Sequence, residues 1–180
     1  MASALSPMSQ TGRCELISRN GNVSRGFVEL GTWIAEHLRV DSAVLDGEIA
    51  CVDDSGWPNF RALLFCQRQC IFIAFDLLLL NGKNLRVLPL IERKAVLKKL
   101  RRRKRSRILY LDHVENDGVL LFEQIVRMDL EGIVCKRKDS PYKVTEKPLR
   151  YWIKVKNSRY SQAEGREELF ERGTISARVT

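Results

Sequence analysis

Residues 131–142 read EGIVCKRKDSPY, and residues 152–157 read WIKVKN. Both begin as strands in which apolar and basic positions alternate. Lys154 and Lys156 are two apart, so a strand sends them to one face and Ile153 and Val155 to the other, core-facing side. Glu131 stands just before the first strand, and Lys136 and Lys138 follow its apolar run. Alternating lysines ordinarily mark a solvent-facing or edge surface.

Outward from this pair the chain mixes strands and helices. CELIS (14–18) is a strand running into the turn RNGNV, where Asn20-Gly21 supplies a φ > 0 position. Phe27, Leu30, Ile34 and Leu38 recur at helical spacing. SAVLDGEIACVD reads as two short strand pieces with Gly47 between them. FRALLFC reads as a short helix. IFIAFDLLLLNG is a buried strand ending in a turn. PLIERKAVLKKL is a helix with proline in its first turn. ILYLDHV is a strand and GVLLFEQIVRM a helix. SQAEGREELFER reads as a polar helix, and the last residues as a loose tail. No glycine-rich phosphate loop joins a strand to a helix. The expected class is α+β, mainly antiparallel sheets with flanking helices.

Charge is unevenly spread. Residues 1–82 hold six arginines, no lysine and nine acids, a net of −3; residues 83–180 hold 25 basic and 13 acidic residues, a net of +12. Such asymmetry fits either a polyanion, with nucleic acid first, or a solvated basic face. Arg101, Arg102, Arg103, Lys104 and Arg105 form the densest basic run and the candidate nucleic-acid contact. No apolar run is long enough to cross a bilayer, and MASALSPMSQ lacks the features of a secretory leader. Five scattered cysteines fit reduced thiols in a cytoplasmic setting better than a disulfide framework.

Five segments, taken in order, are specific. RNG (19–21), LDGEIA (45–50), AFDLLLLNG (74–82), EGIVCKRKDSPY and WIKVKN, with LPLIERKAVLKKL (88–100) between, resemble the nucleotidyltransferase domain of ATP-dependent DNA ligases over about residues 14–157. The resemblance implies a ligase and capping-enzyme type of fold, related to ATP-grasp architectures and incomplete here. Residues 1–13 would then be disordered, 14–157 a partial adenylation domain, and 158–180 a polar helix and tail without an OB-fold. It implies ATP and magnesium as cofactors, nicked duplex DNA as partner, and DNA repair or recombination as setting. Arg19 would reach ribose or phosphate, and Glu48 the ribose hydroxyls, with Asp46 in support. Phe75 would stack on adenine, Lys154 and Lys156 would contact the α-phosphate region, and Glu131 would hold the metal.

The nucleophile of that family is the lysine of a Lys-x-Asp-Gly motif upstream of the RNG turn. The first lysine in these 180 residues is Lys83, and no Lys-x-Asp-Gly occurs. Arginine is no substitute, because its guanidinium stays protonated. The chain alone is therefore expected not to self-adenylate. With those sheet strands missing, unpaired edges or a gap are expected. A non-catalytic nucleic-acid-binding remnant is the alternative reading, and a second chain supplying the nucleophile in trans a third.

Overall fold

The computed structural model describes residues 12–18, 21–51, 70–100, 106–143, 151–160 and 174–179. Two long apolar strands organise it. β2 (Ala43–Cys51) and β3 (Cys70–Leu80) lie antiparallel, from Ala43 opposite Leu80 to Cys51 opposite Cys70. The pairing is broken twice. Asp46 faces Asp76 while Gly47 faces Ala74, and Val44 faces Leu79 while Leu45 faces Leu77. Phe75 and Leu78 are thus the extra residues of two β-bulges, which bend a strand and re-aim its side chains.

β2 is one strand, where the sequence suggested two pieces about Gly47. The glycine serves the packing of that strand: a Cβ at position 47 would lie 2.5 Å from both the Phe72 ring and the Ile73 carbonyl. Along β2, Ala43, Leu45, Ile49 and Cys51 join the core. Asp46 and Glu48 alternate with them, which is how a strand keeps acids off its core face.

The core lies between this sheet and two helices. α1 (Val28–His37) follows a short 3₁₀ turn over Arg25–Phe27 and buries Leu30 and Ile34, one turn apart. α2 (Leu90–Leu100) buries Leu90, Arg93, Lys94 and Leu97, so two of the four inward positions are cationic. β4 (Lys83–Asn84) and β5 (Ile108–Tyr110) both pair with β3, the latter in parallel. α3 (Gly118–Arg127) buries no residue fully, and Val119 and Leu120 on it are exposed. β6 (Gly132–Lys136) and β7 (Trp152–Lys156) form a separate two-stranded antiparallel sheet.

The main sheet contains a strand that the sequence reading placed in a loose tail. β8 (Thr174–Val179) lies antiparallel to β1 (Cys14–Ser18) on one side and to β2 on the other. The order is β1-β8-β2-β3-β4, with β5 also on β3. The expected gap in the sheet is not seen at this place, because β8 occupies it. TISARV does carry the alternation of a strand, with Ile175, Ala177 and Val179 two apart. The FRALLFC and SQAEGREELFER helices and the state of residues 1–11 fall outside the described residues.

The expectation of reduced thiols also changes. Cys51 and Cys70 are disulfide-bonded, with Cα atoms 4.1 Å apart. Their register explains it: they face each other across β2 and β3, and directly opposed residues of an antiparallel pair bring their side chains together. Nineteen positions separate them in sequence, and sequence alone does not reveal such register. Among the described residues no helix is long and apolar enough to cross a membrane.

Candidate functional site

The two sheets meet at a polar and aromatic cluster. From the main sheet come Asp46 on β2 and Phe75 and Asp76 on β3. From the small sheet come Lys136 at the end of β6 and Trp152 at the start of β7, paired in register. Tyr142 lies in the loop between these strands. The Lys136 ammonium is 4.3 Å from the ring centroid of Phe75 and 4.3 Å from that of Trp152. Tyr142 meets Trp152 edge-on at 5.3 Å, and its hydroxyl donates to Asp46 Oδ2 at 3.1 Å. The bulge at Phe75 accounts for this convergence, since it leaves that residue without a cross-strand partner on β2.

Low solvent access sets the electrostatics. Burial pushes the Asp46 carboxyl up to about 6, against the pull of Lys136 and the Tyr142 hydrogen bond. Burial lowers the Lys136 ammonium, with Asp46 and Asp76 opposing that shift. Burial, then the neighbouring Asp46 carboxylate, raises the Tyr142 hydroxyl. A carboxyl above and an ammonium below their ordinary values indicate a site short of water.

Beneath the cluster lies a fully buried ion pair. Arg93 Nε and Nη2 donate to the two carboxylate oxygens of Asp76, each at 2.8 Å, and both side chains are 0% exposed. Arg93 Nη1 donates to the carbonyls of Leu88 and Ser140. The guanidinium therefore ties β3, the start of α2 and the loop after β6 together. That loop also satisfies the first helical N–H groups of α2: Leu90 donates to Ser140 O and Ile91 to Lys138 O. These are donors that a helix leaves without internal partners. Next to Arg93, the Lys94 ammonium donates to Leu111 O at 2.8 Å and is pushed down to about 8, chiefly by burial.

A second group lies along β6 and β7. Glu131 forms an ion pair with Lys154, the carboxylate 25% and the ammonium 40% exposed. Asn157 fixes this corner, its backbone N–H donating to Glu131 O at 2.7 Å and its amide to Leu130 O at 3.0 Å. Gly132 makes the approach possible. Its φ is +149°, and a Cβ there would lie 2.1 Å from Val155 O. Gly132→Ala is expected to cost about 2–4 kcal/mol through backbone strain and overlap, and to part Glu131 from Lys154. A thermal melt within about 2 °C of the parent would refute this.

The residues singled out from sequence are thus distributed as follows. Phe75 and Asp46 belong to the inter-sheet cluster, and Glu131 and Lys154 contact each other. Glu48 is exposed on the strand face it shares with Asp46. Lys156 is exposed and lies opposite Gly132 in register. Arg19 and the run Arg101, Arg102, Arg103, Lys104 and Arg105 fall outside the described residues. Ile153 is 56% exposed rather than core-facing, because a two-stranded sheet offers its back little cover. Sequence reasoning gave no role to Lys136, Trp152 or Tyr142. The signal for Tyr142 was present in the SPY segment, but nothing local announces that Lys136 comes close to two rings.

A mixed α/β architecture of antiparallel sheets meeting at a charged, aromatic-lined cluster is that of a nucleotidyltransferase domain. Residues 7–156 match the family described as the ATP dependent DNA ligase domain, and the chain belongs to that family. It is 30% identical over 128 residues to the SPbeta prophage-derived DNA ligase-like protein LigB of Bacillus subtilis, covering 68% of this chain and 47% of that protein. It is 31% identical over 151 residues to the multifunctional non-homologous end joining protein LigD of Mycolicibacterium smegmatis, covering 81% of this chain and 19% of that protein. Among solved structures, the ligase domain of Mycobacterium tuberculosis LigD superposes with a TM-score of 0.63 at 27% identity, covering 81% of this chain and 50% of that one. A mycobacterial DNA ligase D complexed with ATP and MES gives 0.65 at 27% identity, covering 82% and 52%. The chain spans about half or less of the length of each of these relatives.

Proposed function

We propose that these residues form the ATP-holding part of a DNA ligase adenylation domain that acts on nicked duplex DNA, and that this polypeptide alone does not attach AMP to itself. The observation that carries the first half is the convergence of Phe75, Asp46, Lys136 and Trp152 between the sheets, with the Glu131–Lys154 pair on β6 and β7. The mycobacterial DNA ligase D structure with ATP, which this fold resembles, supports the choice of nucleotide. The second half rests on the absence of a Lys-x-Asp-Gly sequence in the 180 residues.

Each side chain has a task suited to its chemistry. The Phe75 ring offers a face to adenine. Glu48 accepts hydrogen bonds from ribose hydroxyls, with Asp46 behind it, and Arg19 reaches ribose or phosphate. Lys154 and Lys156 share a strand face and offset the charge of the α-phosphate region. Glu131 is a hard oxygen donor on a half-exposed edge. That fits magnesium, which takes one or two protein carboxylates and otherwise phosphate and water. Bound there, the metal neutralises phosphate charge. The test of fit is Lys154: a cation now balances Glu131, and a metal ion would take over that role while the ammonium turns to phosphate.

Incubation with α-labelled ATP and magnesium tests both halves. Reversible binding is expected, weakened about 10- to 100-fold by Lys154→Gln, as loss of a charge-assisted contact implies. No acid-stable label should remain on the chain. A covalent adenylate would overturn the second half, and absence of binding at millimolar ATP the first.

A further inference from the structure

We infer that Arg86 and Lys143 form a seat for a backbone phosphate of duplex DNA, in a cleft between the segment after β4 and the loop after β6. The inference rests on the duplex-DNA part of the reading above and adds to it a place on the surface and two named contacts.

The cleft measures about 510 Å³ and is lined by Arg86, Val87, Pro141, Tyr142 and Lys143. Its two walls are joined by the backbone, since the Tyr142 N–H donates to Arg86 O at 2.8 Å. The Tyr142 hydroxyl anchors the same wall on Asp46. Two residues earlier, the Ser140 carbonyl accepts from the Leu90 N–H and from Arg93 Nη1. Both walls are therefore in place before any ligand arrives, which lowers the ordering cost of binding.

The cations in the cleft are directed outward and lack a counter-charge. Arg86 is half-buried, and Asn84 sets its direction. Asn84 Oδ1 accepts from the Arg86 backbone N–H and from its Nε, each at 3.1 Å. The two Nη groups have no acceptor among the described contacts, and a guanidinium fork can offer such groups to two phosphate oxygens. Lys143 is exposed and has no ion pair or hydrogen bond among the described residues. Cations of the adjoining elements differ: Arg93 is held by Asp76, Arg137 by Asp139 and Lys138 by Glu115. No carboxylate is among the described residues that line the cleft. Two unbalanced positive charges on one concave wall raise the local potential and draw an anion. The start of α2 adds nothing to that potential through free donors, because Ser140 and Lys138 take its Leu90 and Ile91 N–H groups.

The rest of the wall favours a polymer. Val87, 73% exposed, and Pro141 add apolar surface suited to deoxyribose beside the phosphate. With Val87 and Lys143 both exposed, the cleft is open at its rim. A small ligand is ordinarily buried over most of its surface, whereas a duplex passes over such an opening and presents phosphate and sugar in regular repeat. The chain's net charge of +9 suits the same partner.

The experiment uses the full chain and a labelled nicked duplex, followed by fluorescence anisotropy from about 50 to 200 mM salt. Arg86→Gln combined with Lys143→Gln should weaken binding about tenfold at the low-salt end. It should also flatten the slope of log affinity against log salt by about 1 to 2, because each phosphate contact contributes about 0.9. A charge-matched control, Arg39→Gln with Arg127→Gln, changes exposed positions that do not line the cleft, and its slope should stay within about 0.5 of the parent's. ATP affinity, read by calorimetry, should be the same in the cleft variant as in the parent. The variant should melt within about 2 °C of the parent, as surface substitutions without partners do. A scan with one uncharged methylphosphonate linkage per duplex locates the contact. At one linkage the replacement should weaken the parent about five- to tenfold and leave the cleft variant unaffected.

A cleft variant with the parent's DNA affinity and slope overturns the inference and leaves the duplex-DNA reading standing. A loss matched by the control also overturns it, because net charge alone would then be responsible. So does a scan with no linkage of the stated kind, or a lowered melting temperature, which would give the two cations a part in the fold. Loss of ATP binding in the cleft variant overturns it as well, since the cleft would then hold nucleotide phosphate. A parent that binds no duplex at about 50 mM salt ends both the seat and the duplex-DNA reading.

Discussion

Arg93→Met is expected to remove about 3–5 kcal/mol of stability, because it strands the Asp76 carboxylate in a place with no water. Both partners are 0% exposed. In the variant, Asp76 Oδ1 keeps the Leu77 N–H at 2.8 Å but loses both guanidinium bonds. The carbonyls of Leu88 and Ser140 lose their donor as well. A domain of this kind has about 5–15 kcal/mol in total, so most of the folded population is at risk at physiological temperature. Urea denaturation should show a lowered midpoint. Asp76→Leu combined with Arg93→Met should recover much of the loss, since the pair's large effect comes from leaving one charge alone. A single variant within about 1 kcal/mol of the parent would refute the account.

Ala177→Pro is expected to be at least as damaging. Ala177 pairs with Leu16 on one side and Leu45 on the other. Proline removes a ladder donor and is confined in natural sheets to edges and bulges. The cost expected is about 3 kcal/mol or more. Hydrogen exchange should show lost protection over 14–18 and over the β2 residues that face β8. Lys83→Pro on the edge strand β4 should cost far less. Equal effects of the two prolines would show that β8 is not interior to the sheet in solution.

What was legible in the sequence was local. β3 announced itself by an apolar run closed by Asn81-Gly82, and β6 and β7 by their alternation of apolar and basic residues. Asp76 stands out in the sequence itself, a carboxylate in an aliphatic strand. Its partner does not, because Arg93 lies seventeen positions away on a helix whose inward stripe mixes leucine with cations. The same limit hid Lys136: its significance depends on where two rings from other strands come to rest. β8 was missed although its alternation was present, because a six-residue strand means little until β1 and β2 are known to flank it. The bond between Cys51 and Cys70 follows from register, which is a property of the pair of strands and of neither alone.

The place of β8 in the sheet also sets a timetable. Cys14 finds its neighbour in Val179, so the strand joining β1 to β2 in the sheet is made long after either of them. At ribosomal speeds of about 5–20 residues per second, the emerging β1 waits on the order of 10–30 s for that neighbour. Through that interval β2, which pairs with β3 on one side and β8 on the other, has one side bare, and other nascent chains are the nearest thing to pair with.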